Sequence, residues 1–335
     1  MPRPSVSVIV TAKNEQETVE RCLAALMKQD YLDYEILFVD AGSEDDTLSI
    51  AHKMAAGDSR LRILQATGNP SHCRNMALRL SSSDIIAFTD ADVEVPSTWL
   101  TQSVGTLLSS PSIGGVGGPN KPTRGHSTEF VKAVDLMLAT SLGSMRSAQS
   151  YDFREKTVVK SIPCCNAIYR QSLITEMGGF DEELVGCDDT DLGYRISRAG
   201  LKLVFDPESK VLHYVKFSTI RQFARLMFKY GRGRGYASKR KKYLFSGPAI
   251  PAAGLAIVLP GLLLVCWLSW SLIPLEFVLA VYAFLIVGYS VAVAVSQRNL
   301  AVALVGPIVL TAEYISYFAG FLVGLFDRGP SRWSG

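Results

Sequence analysis

The sequence predicts an α/β domain on a mostly parallel sheet, followed by an α-helical membrane region. Three observations predict this. From Val6 to Phe88, short apolar runs alternate with amphipathic stretches of helical period. From Gly247 to Phe326 the only charged residues are Glu276, Arg298 and Glu313, amid long apolar runs. Between these regions lies a cationic segment, with Arg232, Arg234, Lys239, Arg240, Lys241 and Lys242 following one another without an acid. A chain of 335 residues has room for one or two domains.

The first element is the apolar strand Val6–Val10. Glu15–Lys28 then has helical periodicity, with Val19, Leu23 and Leu26 on one face. Glu35–Val39 is the second strand and Asp45–Ala55 the second helix. Leu61–Leu64 is the third strand, Cys73–Leu80 sits on the third helix, and Ile85–Phe88 is the fourth strand. This β-α-β-α-β-α-β order predicts parallel strands with helices on both faces. Such sheets bind ligands at the carboxyl ends of their strands, which singles out Thr11, Asp40 and the Asp90/Asp92 pair. Gly114-Gly-Val-Gly-Gly118 lacks the spacing and context of a dinucleotide loop and is expected to turn or end a strand. Helix is expected around 128–143 and a polar segment near 144–156.

In the bridge over 216–246, Ile220, Phe223, Met227 and Tyr230 form an apolar helical face, while Arg221, Arg225 and Lys229 recur at intervals of four. Next to apolar spans, a basic amphipathic helix reads as lying on an anionic membrane surface; the spans explain its charge better than nucleic acid does. Spans are expected at about 248–268, 274–296 and 301–325, each near the ~20 residues that cross a bilayer. The positive-inside rule places residues 1–246 in the cytoplasm. Met1-Pro-Arg-Pro4 leads straight into the first strand, so no secretory signal is expected. The expected division is therefore 1–215, 216–246 and 247–327. The six cysteines include no C-x-x-C pair, which argues against a zinc site or a disulfide framework. Nothing in the sequence sets an oligomeric state.

Asp90-Ala91-Asp92 ends the fourth strand. In extended backbone, side chains at i and i+2 point the same way, so two carboxylates are available to Mg2+ or Mn2+ with positions left for a diphosphate. Asp40 suits hydrogen bonds from a base or ribose; it is also near enough to the next helix to serve its N-terminus, a role for which Ser43 is better suited. Arg74-Asn75 lies at a helix start, where Arg and helix amides form an anion site. Asp188, Asp189 and Asp191 crowd together, which suits a base working near neutrality; acids at a helix N-terminus also complement the dipole. A lone histidine such as His213 is usually structural, but beside a D-x-D pair it becomes a candidate metal ligand.

The run Val6–Glu15, Val39-Asp40, Arg74-Asn75, Asp90-Ala-Asp92, Gly178-Gly-Phe-Asp181, Asp188-Asp189-Thr-Asp191-Leu192 and His213, in this order, resembles the family 2 glycosyltransferases of the GT-A fold. The resemblance covers about residues 5–215. It implies a nucleotide-sugar donor (UDP- or GDP-sugar), a divalent cation and inversion at the anomeric carbon. Carried over by position, Thr11, Glu15, Asp40 and Arg74 hold the nucleotide, Asp92 and His213 bind the metal, and Asp90 serves ribose or metal. Asp189 matches the base; because Asp188 stands where the family has Glu, the role is left between Asp188 and Asp189. Processive synthases of this family carry Q-x-x-R-W near the membrane, and here Gln222-Phe-Ala-Arg225 ends in Leu226. The resemblance thus implies one sugar added to a membrane-associated acceptor, a lipid-linked saccharide or polyprenyl phosphate, with membrane lipids as neighbours and no nucleic acid.

Overall fold

The computed structural model describes residues 3–122, 128–144, 147–148, 150–151, 153–184, 186–244, 264–268 and 273–329. They form two compact units. One contains residues 1–123 and 148–214; the other contains 124–147 and 215–335. The first unit's second segment ends at Tyr214, and residues 124–147 group with the C-terminal helices.

The first unit begins with β1 (Val6–Ala12), α1 (Val19–Leu26), β2 (Tyr34–Asp40), α2 (Thr47–Ala55), β3 (Leu61–Gln65), α3 (Pro70–Leu80) and β4 (Ile85–Asp90). It continues with β5 (Val93–Glu94), α4 (Trp99–Leu108), β6 (Ile113–Gly117) and β7 (Asn120–Pro122). After the excursion into the other unit come β8 (Thr157–Val159), β9 (Ala167–Arg170), α7 (Gln171–Glu176), α8 (Asp188–Arg198), β10 (Lys202–Phe205) and β11 (Val211–His213). The main sheet has the order β3-β2-β1-β4-β9-β6-β10-β8, and a small sheet has the order β5-β11-β7. The β3-β2-β1-β4 half is parallel, as the alternating pattern predicts. The reversal comes at β9, which runs antiparallel to both β4 and β6. Apolar layers cover both faces of the sheet: Val8, Val10, Ile36 and Phe38 on one side, Ile9, Leu37, Phe88 and Tyr169 on the other. This is the alternation expected of strands buried on both faces.

Local chemistry moves several predicted boundaries. Helix α1 starts at Val19 rather than Glu15, because Glu15–Thr18 forms a turn closed by Thr18. Asp46, not Ser43, occupies the N-cap position of α2. Asn69 caps α3 by accepting from the His72 amide, with Pro70 in the first turn. The glycine-rich 114–118 stretch does not turn; residues 113–117 are a fully buried strand that ends within it. Glycine is needed there for space. A Cβ on Gly115 would lie 2.5 Å from the Tyr169 ring, and one on Gly118 would lie 2.1 Å from the Ser209 carbonyl oxygen.

The second unit contains α5 (Glu129–Leu138), the short α6 (Ser141–Ser144), α9 (Ile220–Arg240), α10 (Ile273–Gln297) and α11 (Leu300–Phe326). Ala133, Val134 and Met137 of α5 pack with Phe223 and Met227 of α9 and with Val302 and Val309 of α11. That shared apolar cluster explains why the 124–147 segment belongs here. Helices α9 and α11 run side by side in the same direction through reciprocal glycines. A Cβ on Gly231 would meet the Tyr317 carbonyl oxygen at 2.0 Å and one on Gly235 the Phe321 carbonyl oxygen at 2.1 Å. From the other side, a Cβ on Gly320 would meet the Phe228 carbonyl oxygen and one on Gly324 the Arg232 carbonyl oxygen, each at 2.1 Å. This is small-xxx-small packing in both directions. Thr219 and Gln222 form a capping box at the start of α9, which gives Gln222 a structural role.

Helices α10 and α11 are long and apolar enough to cross a membrane. They correspond to the second and third expected spans. Most of the first, about 248–268, lies outside the described residues.

Candidate active site

The carboxyl ends of β1, β2 and β4 meet the first turns of α3 and α8. Strand register does the first part of the assembly. Thr11 pairs with Asp90 across β1 and β4, and the Thr11 hydroxyl donates to Asp90 Oδ1 at 3.0 Å. Ala12 pairs with Asp40 across β1 and β2. Asp40 is 3% exposed. Its Oδ2 accepts from the amides of Gly42 (3.1 Å) and Ser43 (3.0 Å), and its Oδ1 is buried with no hydrogen-bond partner among the described residues. Gly42 adopts φ +80°, the left-handed conformation that this tight turn requires. Asp40 therefore does not cap α2; it folds its own loop with one oxygen and keeps the other as an acceptor. Glu15 accepts from the Thr18 hydroxyl at 3.1 Å and donates its amide to Thr47 at 2.7 Å, so it shapes the loop after β1.

The two acids of the D-x-D pair part company. Strand β4 ends at Asp90 and residues 91–92 turn, so the carboxylates do not share one extended face. Asp90 points to Thr11 and to Arg74, whose Nη2 donates to Asp90 Oδ1 at 2.9 Å. Asp92 points to the small sheet. Pairing of β11 with β5 sets His213 opposite Val93, and His213 Nε2 lies 3.3 Å from Asp92 Oδ1. Asp90 thus lies against Thr11 and Arg74, while Asp92 and His213 lie together.

Arg74 links the two acid-bearing segments. Its side chain is 8% exposed and divided between two carboxylates. Nη1 donates to Asp188 Oδ2 at 3.1 Å, and the Ser71 hydroxyl donates to the same oxygen at 2.9 Å. Burial opposes its charge while the Asp90 and Asp188 carboxylates favour it, and the net shift of its pKa is upward. Removing one partner of such a buried pair typically costs about 3–5 kcal/mol.

The three acids at the start of α8 separate by partner. Asp188 goes to Arg74 and Ser71. Asp191 is fully buried and paired with Arg195 at 2.7 Å. The Asp189 carboxylate, partly exposed, accepts from the Thr190 amide and hydroxyl beside it. Cys164 and Cys165, adjacent below this cluster, are buried, and burial pushes both thiols well above their ordinary pKa. They are structural thiols, and neither is in a disulfide.

Sequence reasoning does not single out Ser71 or Glu182 and gives Asn75 no role of its own. Ser71 and Arg74 are three apart on α3 and so share a helical face, and Asn69-Pro70 is a helix start signal that places them there. Asn75 donates to the Phe180 carbonyl oxygen (2.8 Å) and to Glu182 Oε1 (2.9 Å), and accepts from the Phe180 amide (2.9 Å). Only the folded chain brings those residues within reach.

Known proteins resemble this chain in sequence or in fold. The model of the family described as Glycosyl transferase family 2 matches residues 7–178. Glycosyltransferase AglE of Haloferax volcanii is 31% identical over 207 residues, 60% of this chain and 64% of the relative. Beta-monoglucosyldiacylglycerol synthase of Trichormus variabilis is 28% identical over 210 residues, 58% of this chain and 41% of the relative. The chain thus spans less than two thirds of the length of these relatives. Among solved structures, the mannosyltransferase PcManGT of Pyrobaculum calidifontis, in complex with GDP-Man and Mn2+, superposes with a TM-score of 0.63 at 22% identity, covering 98% of this chain and 89% of that one. The fold is GT-A, and the chain belongs to glycosyltransferase family 2.

Proposed function

We propose that this glycosyltransferase is an inverting, divalent-cation-dependent enzyme that moves a single sugar from a nucleotide-sugar to a lipid-linked, membrane-associated acceptor. The observation that carries the reading is the convergence of Asp40, Asp90, Asp92, Asp188, Asp189 and His213 from separate segments at one end of the sheet. The unsatisfied Asp40 oxygen is an acceptor for a base N–H or a ribose hydroxyl. Thr11 and Glu15 shape the loop beside it.

The residues present fit a divalent cation. A carboxylate oxygen and an imidazole nitrogen 3.3 Å apart are close to the roughly 3 Å between adjacent ligands of an octahedral ion. Among the described residues no three acidic, histidine or cysteine side chains form a complete metal cage. Asp92 and His213 are the two protein donors, which suits an ion that takes its other ligands from substrate phosphates and water. The oxygen and nitrogen pair favours Mn2+ over Mg2+. Bound there, the ion supplies Lewis-acid neutralisation of charge on the departing nucleoside diphosphate.

Asp189 is the base. Asp188 is engaged by Arg74 and Ser71 and Asp191 by Arg195; Asp189, partly exposed at the first turn of α8, is the acid to which this reading assigns the proton of an acceptor hydroxyl. One base supports one displacement from the face opposite the leaving group, hence inversion.

Single addition is favoured over processive synthesis because Gln222, the first residue of the Q-x-x-R spacing, is spent on the α9 cap. The lipid acceptor is supported by the exposed Arg221, Arg225 and Lys229 of α9 and by the apolar helices α10 and α11. The likeness to a diacylglycerol-linked sugar synthase points the same way.

The test is a transfer assay of the full chain in nanodiscs with a panel of UDP- and GDP-sugars, Mn2+ and polyprenyl phosphate or glycolipid acceptors. Proton NMR of the product is expected to show the anomeric configuration opposite to the donor's. Asp189→Asn is expected to lower kcat by about 10²–10⁴-fold. Retention of configuration, or an undiminished Asp189→Asn, overturns the mechanism.

A further inference from the structure

We propose that Arg74 is a positioning residue that sets the base-bearing helix α8 against the end of strand β4. The proposal rests on the transferase reading above and adds to it a residue that acts through Asp188.

Helix α3 sends two consecutive side chains to the segment that carries the base. Arg74 joins Asp90 at 2.9 Å to Asp188 at 3.1 Å, and Asn75 makes three hydrogen bonds to Phe180 and Glu182. A guanidinium is planar, and its terminal N–H groups leave in fixed directions. Satisfying a carboxylate with each of Nη1 and Nη2 therefore fixes where Asp188 stands relative to Asp90. Surrounding groups hold the guanidinium in place. The Phe180 ring centroid lies 5.8 Å from its Cζ, Ser71 adds a second donor to the Asp188 oxygen, and Thr11 adds one to the Asp90 oxygen. Asn75 pins the start of the same connection, where Gly179 adopts φ +73° and a Cβ would come within 2.5 Å of Asn75 Oδ1. The Arg74-Asn75 pair thus holds both ends of the connection from Phe180 to Asp188.

Asp189 follows Asp188 directly, so this bridge sets the base's distance from the donor acids. A proton-transfer geometry loses about 10²-fold in rate for a displacement near 1 Å. Arg74 is therefore a determinant of kcat rather than of donor affinity. Lysine, a single point charge, reaches one carboxylate at a time and replaces the bridge in part.

The experiment uses the full chain in nanodiscs with Mn2+ and the nucleotide-sugar that thermally stabilises the wild type most. Donor Kd by calorimetry and kcat by transfer are measured for Arg74→Gln, Arg74→Lys and Asp188→Asn. Arg74→Gln is expected to lower kcat on the order of 100-fold while donor Kd stays within about threefold. Arg74→Lys is expected to recover part of that loss, and Asp188→Asn to reproduce it. A donor Kd weakened as much as kcat falls would make Arg74 a direct donor ligand and overturn the proposal. So would wild-type kcat in Asp188→Asn, which decides the matter alone if the Arg74 variants do not fold. A wild-type chain that binds and transfers no nucleotide-sugar overturns the transferase reading itself.

Discussion

The Nε2 nitrogen of His213 stands 3.3 Å from Oδ1 of Asp92, joining the last strand of the α/β unit to the acid that follows its fourth strand. The contact depends on β11 pairing with β5, which sets His213 opposite Val93. As half of a cation site, the pair predicts that His213→Ala weakens Mn2+ binding in the presence of UDP or GDP by at least about tenfold. Titration followed by the Mn2+ electron paramagnetic resonance signal reads this directly. Unchanged Mn2+ affinity in both His213→Ala and Asp92→Asn would remove the pair from the site.

The glycines between α9 and α11 leave no room for a side chain. Gly320→Val is expected to destabilise the helical unit by about 1–3 kcal/mol or more through overpacking. Gly288→Ala on α10 is the control, because nothing among the described residues lies within 4 Å of an added Cβ there. Thermal melts in detergent should show a lowered Tm for the first substitution and none for the second.

The cations of α9 divide by environment. Arg232 Nε donates to Asp327 Oδ2 at 2.6 Å, whereas Arg221, Arg225 and Lys229 are exposed on a helix without acids. Replacing the exposed three by Gln should raise KM for a lipid acceptor and leave KM for the nucleotide-sugar unchanged. Arg232→Gln should instead lower Tm. Equal effects of the triple change on both KM values would rule out a role in acceptor binding.

Hydrogen bonds from Asn75 and His72 hold the Glu182 carboxyl below its ordinary value of 4.5. A carboxylate depressed in the folded state contributes stability that is present above the ordinary value and lost as the pH falls through the lowered one. The Tm difference between wild type and Glu182→Gln should therefore be widest above pH 4.5 and close as the pH drops below it. Melting curves across that range check it; a constant difference would show that Glu182 acts by packing.

The alternation of strand and helix, the apolar C-terminal third and the acids at strand ends are legible in the sequence because each depends on local periodicity. Val6–Val10, Glu35–Val39 and Ile85–Phe88 lie within observed strands, and Asp40, Asp90 and Asp92 lie at or just past strand ends. Segments without a distinct period are harder. The buried strand Ile113–Gly117 reads as a turn or a strand end, because its glycines and Gly118 answer to Tyr169 and Ser209, which are far away in sequence. Likewise, helix Glu129–Leu138 carries an apolar face that does not name its partner.

By itself, the sequence determined the class of this protein: a mostly parallel α/β sheet, long apolar helices, and an inventory of acids, one arginine and one histidine in the order of a transferase family. Tertiary structure alone decided how those groups pair. It sent Asp90 to Arg74 and Asp92 to His213, although the two acids are separated by a single alanine, because the strand stops between them. It also engaged Asp188 and Asp191 with different arginines. The physical reason is that spacing along a chain fixes which way neighbouring side chains point only while the backbone stays regular. Ion pairs and hydrogen bonds are set by distance in space, which the packing of β4, α3, α8 and β11 determines.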